Sequence, residues 1–229
     1  IVYAGVMGPA WSDGETRGVY RSRDGGLTWE KILYVDPGTG VADLVMDPHN
    51  PNKLLAAMWD FRRQPWTFRS GGPGSGLYLT FDGGDTWERL TPEDGLPEGD
   101  LGRIGLAFAP SSPDRVYALV EAQRNVLLRS ENGGRSWGLV SDARGINPRP
   151  FYYADIRVDP LNENRLYRLA GSMDVSEDGG ENFRTVVPSA IIHGDVHELW
   201  IDPRDARFMI MGKDGGVGIK HERGDYWRF

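Results

Sequence analysis

The 229 residues carry 33 acidic and 26 basic side chains, a formal charge of −7, and no cysteine. That balance argues against a nucleic-acid backbone as partner, since phosphate binding calls for clustered Lys and Arg. The missing cysteines exclude disulfides and thiolate metal sites. No apolar run reaches the ~18 residues that would span a membrane, and the first residues do not read as the basic start of a signal peptide.

In chain order, Ile1-Val-Tyr-Ala4 and Gly18-Val-Tyr-Arg21 are predicted as short strands, and the second leads into Ser22-Arg-Asp-Gly-Gly-Leu-Thr-Trp29. That phrase recurs as Thr80-Phe-Asp-Gly-Gly-Asp-Thr-Trp87, Ser130-Glu-Asn-Gly-Gly-Arg-Ser-Trp137 and Ser176-Glu-Asp-Gly-Gly-Glu-Asn-Phe183, with a worn fifth copy in Lys220-His-Glu-Arg-Gly-Asp-Tyr-Trp227. A short Asp or Asn accepts hydrogen bonds from backbone N–H groups just ahead, and the Gly pair supplies positive φ. The closing aromatic then leaves the turn to anchor in apolar packing. Asp24, Asp82, Asn132 and Asp178 are the expected turn residues, and Trp29, Trp87, Trp137, Phe183 and Trp227 the expected plugs. By contrast, Asp214-Gly-Gly216 runs into Val217-Gly-Ile219 and is a different turn.

A second phrase keeps step with the first. Asp47-Pro48, Ala109-Pro110, Asp159-Pro160 and Asp202-Pro203 each end one strand and lead into another. Each repeat therefore reads as four strands: A before the Pro turn, B after it, C before the box and D after the box. The residues one and three places before the Pro turn's first residue are Met46 and Leu44, Phe108 and Leu106, Val158 and Ile156, and Ile201 and Leu199. All are apolar, as packing between neighbouring sheets requires. No sustained helical period is present.

Four-stranded units recurring every ~45 to 60 residues predict an all-β β-propeller with about five blades, the first and last incomplete. The expected repeats are residues 1–35, 36–92, 93–141, 142–188 and 189–229. They form a single propeller domain or a segment of a larger propeller. Because exposed strand edges invite pairing, self-association or a longer propeller chain is the expected way to close such a ring.

The repeated phrase resembles the Asp box, S-x-D-x-G-x-T-W, also called the BNR repeat. The wider wording, in Arg17-Gly-Val-Tyr-Arg-Ser22, Trp66-Thr-Phe-Arg-Ser-Gly-Gly-Pro-Gly-Ser-Gly76, Gly102-Arg-Ile-Gly105 and His193-Gly-Asp-Val-His-Glu-Leu-Trp-Ile-Asp-Pro203, resembles bacterial secreted sortilin-like proteins, often labelled glycosyl hydrolase BNR-repeat proteins. The resemblance implies an exported propeller, extracellular or periplasmic. Sialidases share the box, but their Arg-Ile-Pro phrase is approached only by Arg103-Ile104-Gly105, and no arginine triad with a Tyr/Glu nucleophile pair can be assembled. Sialidase activity is disfavoured.

In propellers of this type the D-to-A and B-to-C connections share the working face. The longest such connection runs from Trp59 to Ser75 and holds Trp59, Phe61, Arg62, Arg63, Trp66, Phe68 and Arg69. Aromatics interleaved with arginines suit stacking on sugar rings or gripping acidic groups, and equally suit plugging the loop into its own propeller. Arg103, Tyr152, Tyr153 and His193 are further candidate ligand contacts at the same height. In an extended chain His193, Asp195 and His197 face one side, a pattern for a divalent metal or for acid–base work, or for a hydrogen-bonded cluster fixing the strand start. No other cofactor is implied. A glycosidase needs two carboxyls flanking the bond, for which Asp100 and Asp195 are the candidate pair. Asp43, Asp155 and Glu198 share one aligned position and read as structural polar groups between blades. Two functions follow as alternatives: a binding or scaffold module for glycan or peptide, and a glycoside hydrolase with carboxylates at the channel mouth.

Overall fold

A computed structural model describes residues 1–189, 193–221 and 227–228. Among these residues, twenty strands form five antiparallel sheets in sequence order. The first sheet contains β1 (Val2–Val6), β2 (Gly18–Ser22) and β3 (Glu30–Leu33). The second contains β4 (Thr39–Met46), β5 (Leu54–Gln64), β6 (Thr67–Ser70), β7 (Gly76–Thr80) and β8 (Glu88–Arg89). In the third, β9 (Ile104–Phe108), β10 (Val116–Val120), β11 (Val126–Ser130) and β12 (Gly138–Ser141) follow one another. The fourth is β13 (Asp155–Asp159), β14 (Asn162–Leu169), β15 (Met173–Ser176) and β16 (Arg184–Val187). The fifth is β17 (Val196–Asp202), β18 (Asp205–Lys213), β19 (Gly216–Lys220) and β20 (Trp227–Arg228). Among the described residues the only helical piece is a 3-10 turn at Pro92–Asp94. The fold is an incomplete β-propeller.

The backbone bonds of the box are the same each time, while the side-chain bond reverses in the third, where the Asn132 amide donates to the Ser136 hydroxyl. Ser22 Oγ accepts the N–H of Gly26 at 2.8 Å, and Asp24 accepts the N–H of Thr28 at 2.9 Å and its hydroxyl at 2.6 Å. Thr80 and Asp82 repeat this with Gly84 and Thr86. Ser130 and Asn132 repeat it with Gly134 and Ser136, and Ser176 and Asp178 with Gly180 and Asn182. These bonds satisfy the N–H groups of a tight turn that cannot join a ladder. The fifth copy lies mostly outside the described residues.

Each later box also touches the sheet before it. A Cβ on Gly84 would stand 2.5 Å from Ile32 Cδ1, and one on Gly134 3.1 Å from Leu55 Cδ1; Gly180 is pressed against Leu127. The glycines are needed both for their positive φ and for this close approach. Trp137 joins Leu55 and Leu79 of the second sheet, and Leu90 and Leu96 just after it, in one core cluster, and Trp87 packs on the cluster around Val19 and Met58.

The inner strands β4, β9, β13 and β17 line a cavity of about 650 Å³ bounded by Met46, Phe108, Arg157, Glu198 and Trp200. Asp43 crosses between inner strands, its carboxylate accepting the N–H of Leu106 at 2.9 Å, and Arg157 grips Glu198 through two bonds of 2.8 Å. Seven of the eight residues read as packing positions are buried or half-buried, but Met46 is 48% exposed. It ends β4 at the cavity, which Phe108 and Val158 also line while staying buried.

Candidate functional site

The segment read as a long loop is largely a β-hairpin. β5 continues past its last pairing with β4, Thr39↔Asp60, and turns at Pro65-Trp66 to pair with β6 from Phe61↔Ser70 to Gln64↔Thr67. The two-residue period sends Trp59 and Phe61 inward together, and their rings stack at 4.5 Å. Trp59 is 3% exposed, its indole N–H donates to Ser70 Oγ at 3.1 Å, and the Arg103 guanidinium lies 5.7 Å from its ring. Trp59, expected to meet a ligand, is core. Glu121 ties the base of the hairpin, accepting the Ser70 hydroxyl at 2.6 Å and the Arg103 N–H at 2.8 Å.

Residues beyond Phe61 face outward. Arg62 is held by Asp13 at 2.9 Å and donates to the Trp11 carbonyl at 2.8 Å, while the Arg63 N–H donates to the Ala10 carbonyl. The loop carrying Trp11 is thereby pinned along the hairpin. Arg17 pins it from beneath: the side chain is fully buried, sits 4.5 Å over the Phe61 ring, and donates to the carbonyls of Pro9 and Ser12. Burial pulls its pKa below the usual arginine value. Trp66, at the hairpin tip, is 79% exposed.

From this base a row of rings and guanidiniums crosses one face. Arg63 lies 5.9 Å from the Trp11 ring and 6.0 Å from the Phe68 ring, and Phe68 meets Phe151 at 5.2 Å. Arg149 lies 5.4 Å from Phe151 and 4.6 Å from Tyr152. Tyr152 meets His197 edge-on at 5.3 Å, and Tyr153, buried behind it, stacks on the same imidazole at 5.9 Å. The contributors come from the β1–β2 loop, the β5–β6 hairpin, the β12–β13 loop and β17. These are the B-to-C and D-to-A connections and the start of an A strand, so they meet on one side. Arg103 braces the row by donating to the Tyr152 carbonyl at 2.8 Å. Burial pushes the nearby Asp155 carboxyl up, with the Arg103 charge opposing it.

The metal set expected from His193, Asp195 and His197 is not assembled. Asp195 has a φ of +68°, so the backbone kinks before β17 begins at Val196 and the three side chains do not share the side of one extended strand. His197 pairs instead with Asp214 at 2.9 Å, and His193 is exposed against Gly215 in the β18–β19 turn. Among the described residues no three His, Asp or Glu side chains are placed to hold a metal ion. Asp100 is exposed ahead of β9 and Asp195 lies ahead of β17, with the whole of the fourth sheet between.

Trp11, Arg149 and Phe151 were missed in the sequence. Their signal was present, because Arg149-Pro-Phe-Tyr-Tyr153 repeats the arginine–aromatic alternation of the hairpin in a D-to-A connection.

Comparison with known proteins agrees with this architecture. Residues 20–31 match the BNR/Asp-box repeat. Over 183 residues, 66% of this chain and 22% of the relative, the chain is 30% identical to an oligoxyloglucan-reducing end-specific xyloglucanase of Emericella nidulans. Its fold is similar to that of the Niastella koreensis GH74 enzyme, with a TM-score of 0.68 and 17% identity over 95% of this chain and 34% of that one. It is also similar to YCF48 from Cyanidioschyzon merolae, with a TM-score of 0.54 and 18% identity over 100% and 59% of the two chains. The chain thus spans about a fifth of the curated relative and a third of the GH74 structure. Repeats, sheets and relatives together identify it as an Asp-box (BNR-repeat) β-propeller related to glycosyl hydrolases.

Proposed function

We propose that this chain is a carbohydrate-binding propeller segment that acts outside the cytoplasm, holding an extended glycan along the row from Trp11 to His197. The observation that carries this reading is the row itself, in which exposed or half-exposed rings alternate with guanidiniums across connections from four sheets. Flat apolar rings with polar neighbours suit the faces of sugars, whose C–H groups stack while hydroxyls seek hydrogen bonds. The relative named as a xyloglucanase supports a glycan over other polymers. Among the described residues no helix is long and apolar enough to cross a membrane.

A hydrolase would need two carboxyls flanking one bond. Asp100, ahead of β9, and Asp195, ahead of β17, are the pair offered by the sequence, and the row of rings and guanidiniums needs neither of them to bind. The test is affinity electrophoresis on a panel of soluble polysaccharides, with reducing ends assayed in the same samples. Retardation by at least one polysaccharide, lost in a Trp11→Ala/Phe151→Ala double variant and kept in Trp29→Ala, is the expected result. Absence of retardation across the panel defeats the reading, and reducing-end release lost in Asp195→Asn replaces it with the enzyme.

A further inference from the structure

The arginines around the row fall into two groups. Arg62 is paired with Asp13 at 2.9 Å, Arg69 with Asp60 at 2.7 Å, and Arg103 donates to the Tyr152 carbonyl. Arg63 and Arg149 are different. Both are exposed, both are held between two aromatic rings, and among the described residues neither has a carboxylate partner. In a chain with seven more acids than bases, two solvent-facing guanidiniums left without carboxylates within one short row are a specific arrangement. They flank the Phe68–Phe151 pair, one on each side.

We propose that the row recognises a glycan made of uronic acids, with the sugar carboxylates received by Arg63 and Arg149; this rests on the carbohydrate-binding reading above. A guanidinium held against rings keeps its planar fork oriented, and its free N–H edges match a carboxylate in bidentate fashion. A uronate ring stacked over Phe68 or Phe151 carries its carboxylate at the ring edge, where the neighbouring guanidinium stands. Neutral sugars would use the rings and leave both charges idle. The specificity therefore differs from the xyloglucan named for the Emericella nidulans relative.

The test uses the full chain and three probes measured by titration calorimetry: polygalacturonate, the same polymer fully methyl-esterified, and xyloglucan. The free acid should bind about tenfold more tightly than the ester, the return expected from one or two charge-assisted hydrogen bonds. In an Arg63→Gln/Arg149→Gln double variant the preference should fall to within about twofold, while the thermal midpoint stays unchanged because both side chains are exposed. Equal affinity for acid and ester, or tighter binding of xyloglucan, overturns the uronate inference and leaves the carbohydrate reading standing. No binding of any of the three, together with no retardation on the wider panel, removes both. Polyglutamate binding as tightly as polygalacturonate, with the same loss in the double variant, would assign the two arginines to acidic peptides instead and also overturns the inference.

Discussion

The first and third boxes hold their second glycine and their Thr28 or Ser136 N–H by matching bonds, and bury their tryptophans to very different extents. In both, the indole N–H donates to the carbonyl of the second box glycine at 3.0 Å. Yet Trp137 is 7% exposed and Trp29 43%, and Leu27 beside it is 85% exposed. The difference comes from the neighbour. Trp137 is wedged against the second sheet, and its N–H donates to the Asp94 carbonyl at 2.8 Å, whereas the first box has no sheet against it within the described chain. Local sequence shapes the turn, and the adjoining sheet gives the aromatic its energy.

The sharpest way to break that comparison is to truncate both tryptophans. Trp137→Ala empties a packed core position and should destabilise by ~3–5 kcal/mol. Trp29→Ala removes a half-exposed ring and should shift stability by only ~1–2 kcal/mol. Urea unfolding of both variants at one protein concentration reads the difference, and equal losses would mean that the first box is covered in solution.

The same division explains what was legible in the sequence. The boxes, the Pro turns and the strands between them could be read because each is fixed by residues within a few positions, such as Asp82 with Thr86. Trp59 could not be placed. Its burial depends on β5 running on into a hairpin with β6, and on Ser70 and Glu121 meeting at its base, contacts that span 51 residues. His193, Asp195 and His197 misled for a related reason: a positive φ at a non-glycine residue leaves no mark in the sequence, and it breaks the alternation on which the expected cluster relied. The row from Trp11 to His197 was half-legible, because arginine–aromatic alternation is visible in each loop while the meeting of the loops is not.

A smaller effect separates the glycines. Gly26 and Gly180 hold matching positions with φ of +100° and +98°, so an alanine at either carries the same left-handed strain, ~1–2 kcal/mol. At Gly26 the added Cβ meets only its own Trp29, at 3.8 Å, whereas at Gly180 it runs into Leu127 of the preceding sheet. Gly180→Ala should therefore lose a further ~1–3 kcal/mol to overpacking. Thermal midpoints of the two variants measure the gap, and a Gly26→Ala variant as damaged as Gly180→Ala would show that something presses on the first box as well.

The smallest expected effect is electrostatic and should not distinguish the first box from the second. Asp24 and Asp82 are each held well below the usual carboxylate range, first by the hydroxyl of Thr28 or Thr86 and then by that residue's N–H. Asp178 is lowered to about 2, first by the N–H of Asn182 and then by its side-chain amide. A folded pKa below the unfolded value of about 3.9 means that the unfolded chain binds the proton more readily. Each carboxylate therefore contributes stability that is fully present above about pH 4, declines as the pH falls from there, and is gone below its folded pKa. Asn132 replaces the carboxylate in the third box and makes the same backbone bond at 2.9 Å, so that box contributes nothing to the acid dependence. Carboxyl carbon chemical shifts followed from pH 6 to pH 2 should show Asp24 and Asp82 moving together, well below the unfolded value, despite the unequal burial of Trp29 and Trp87. If Asp24 instead titrates near the unfolded value while Asp82 does not, the first turn depends on a covering sheet for its hydrogen bonds as well as for its tryptophan.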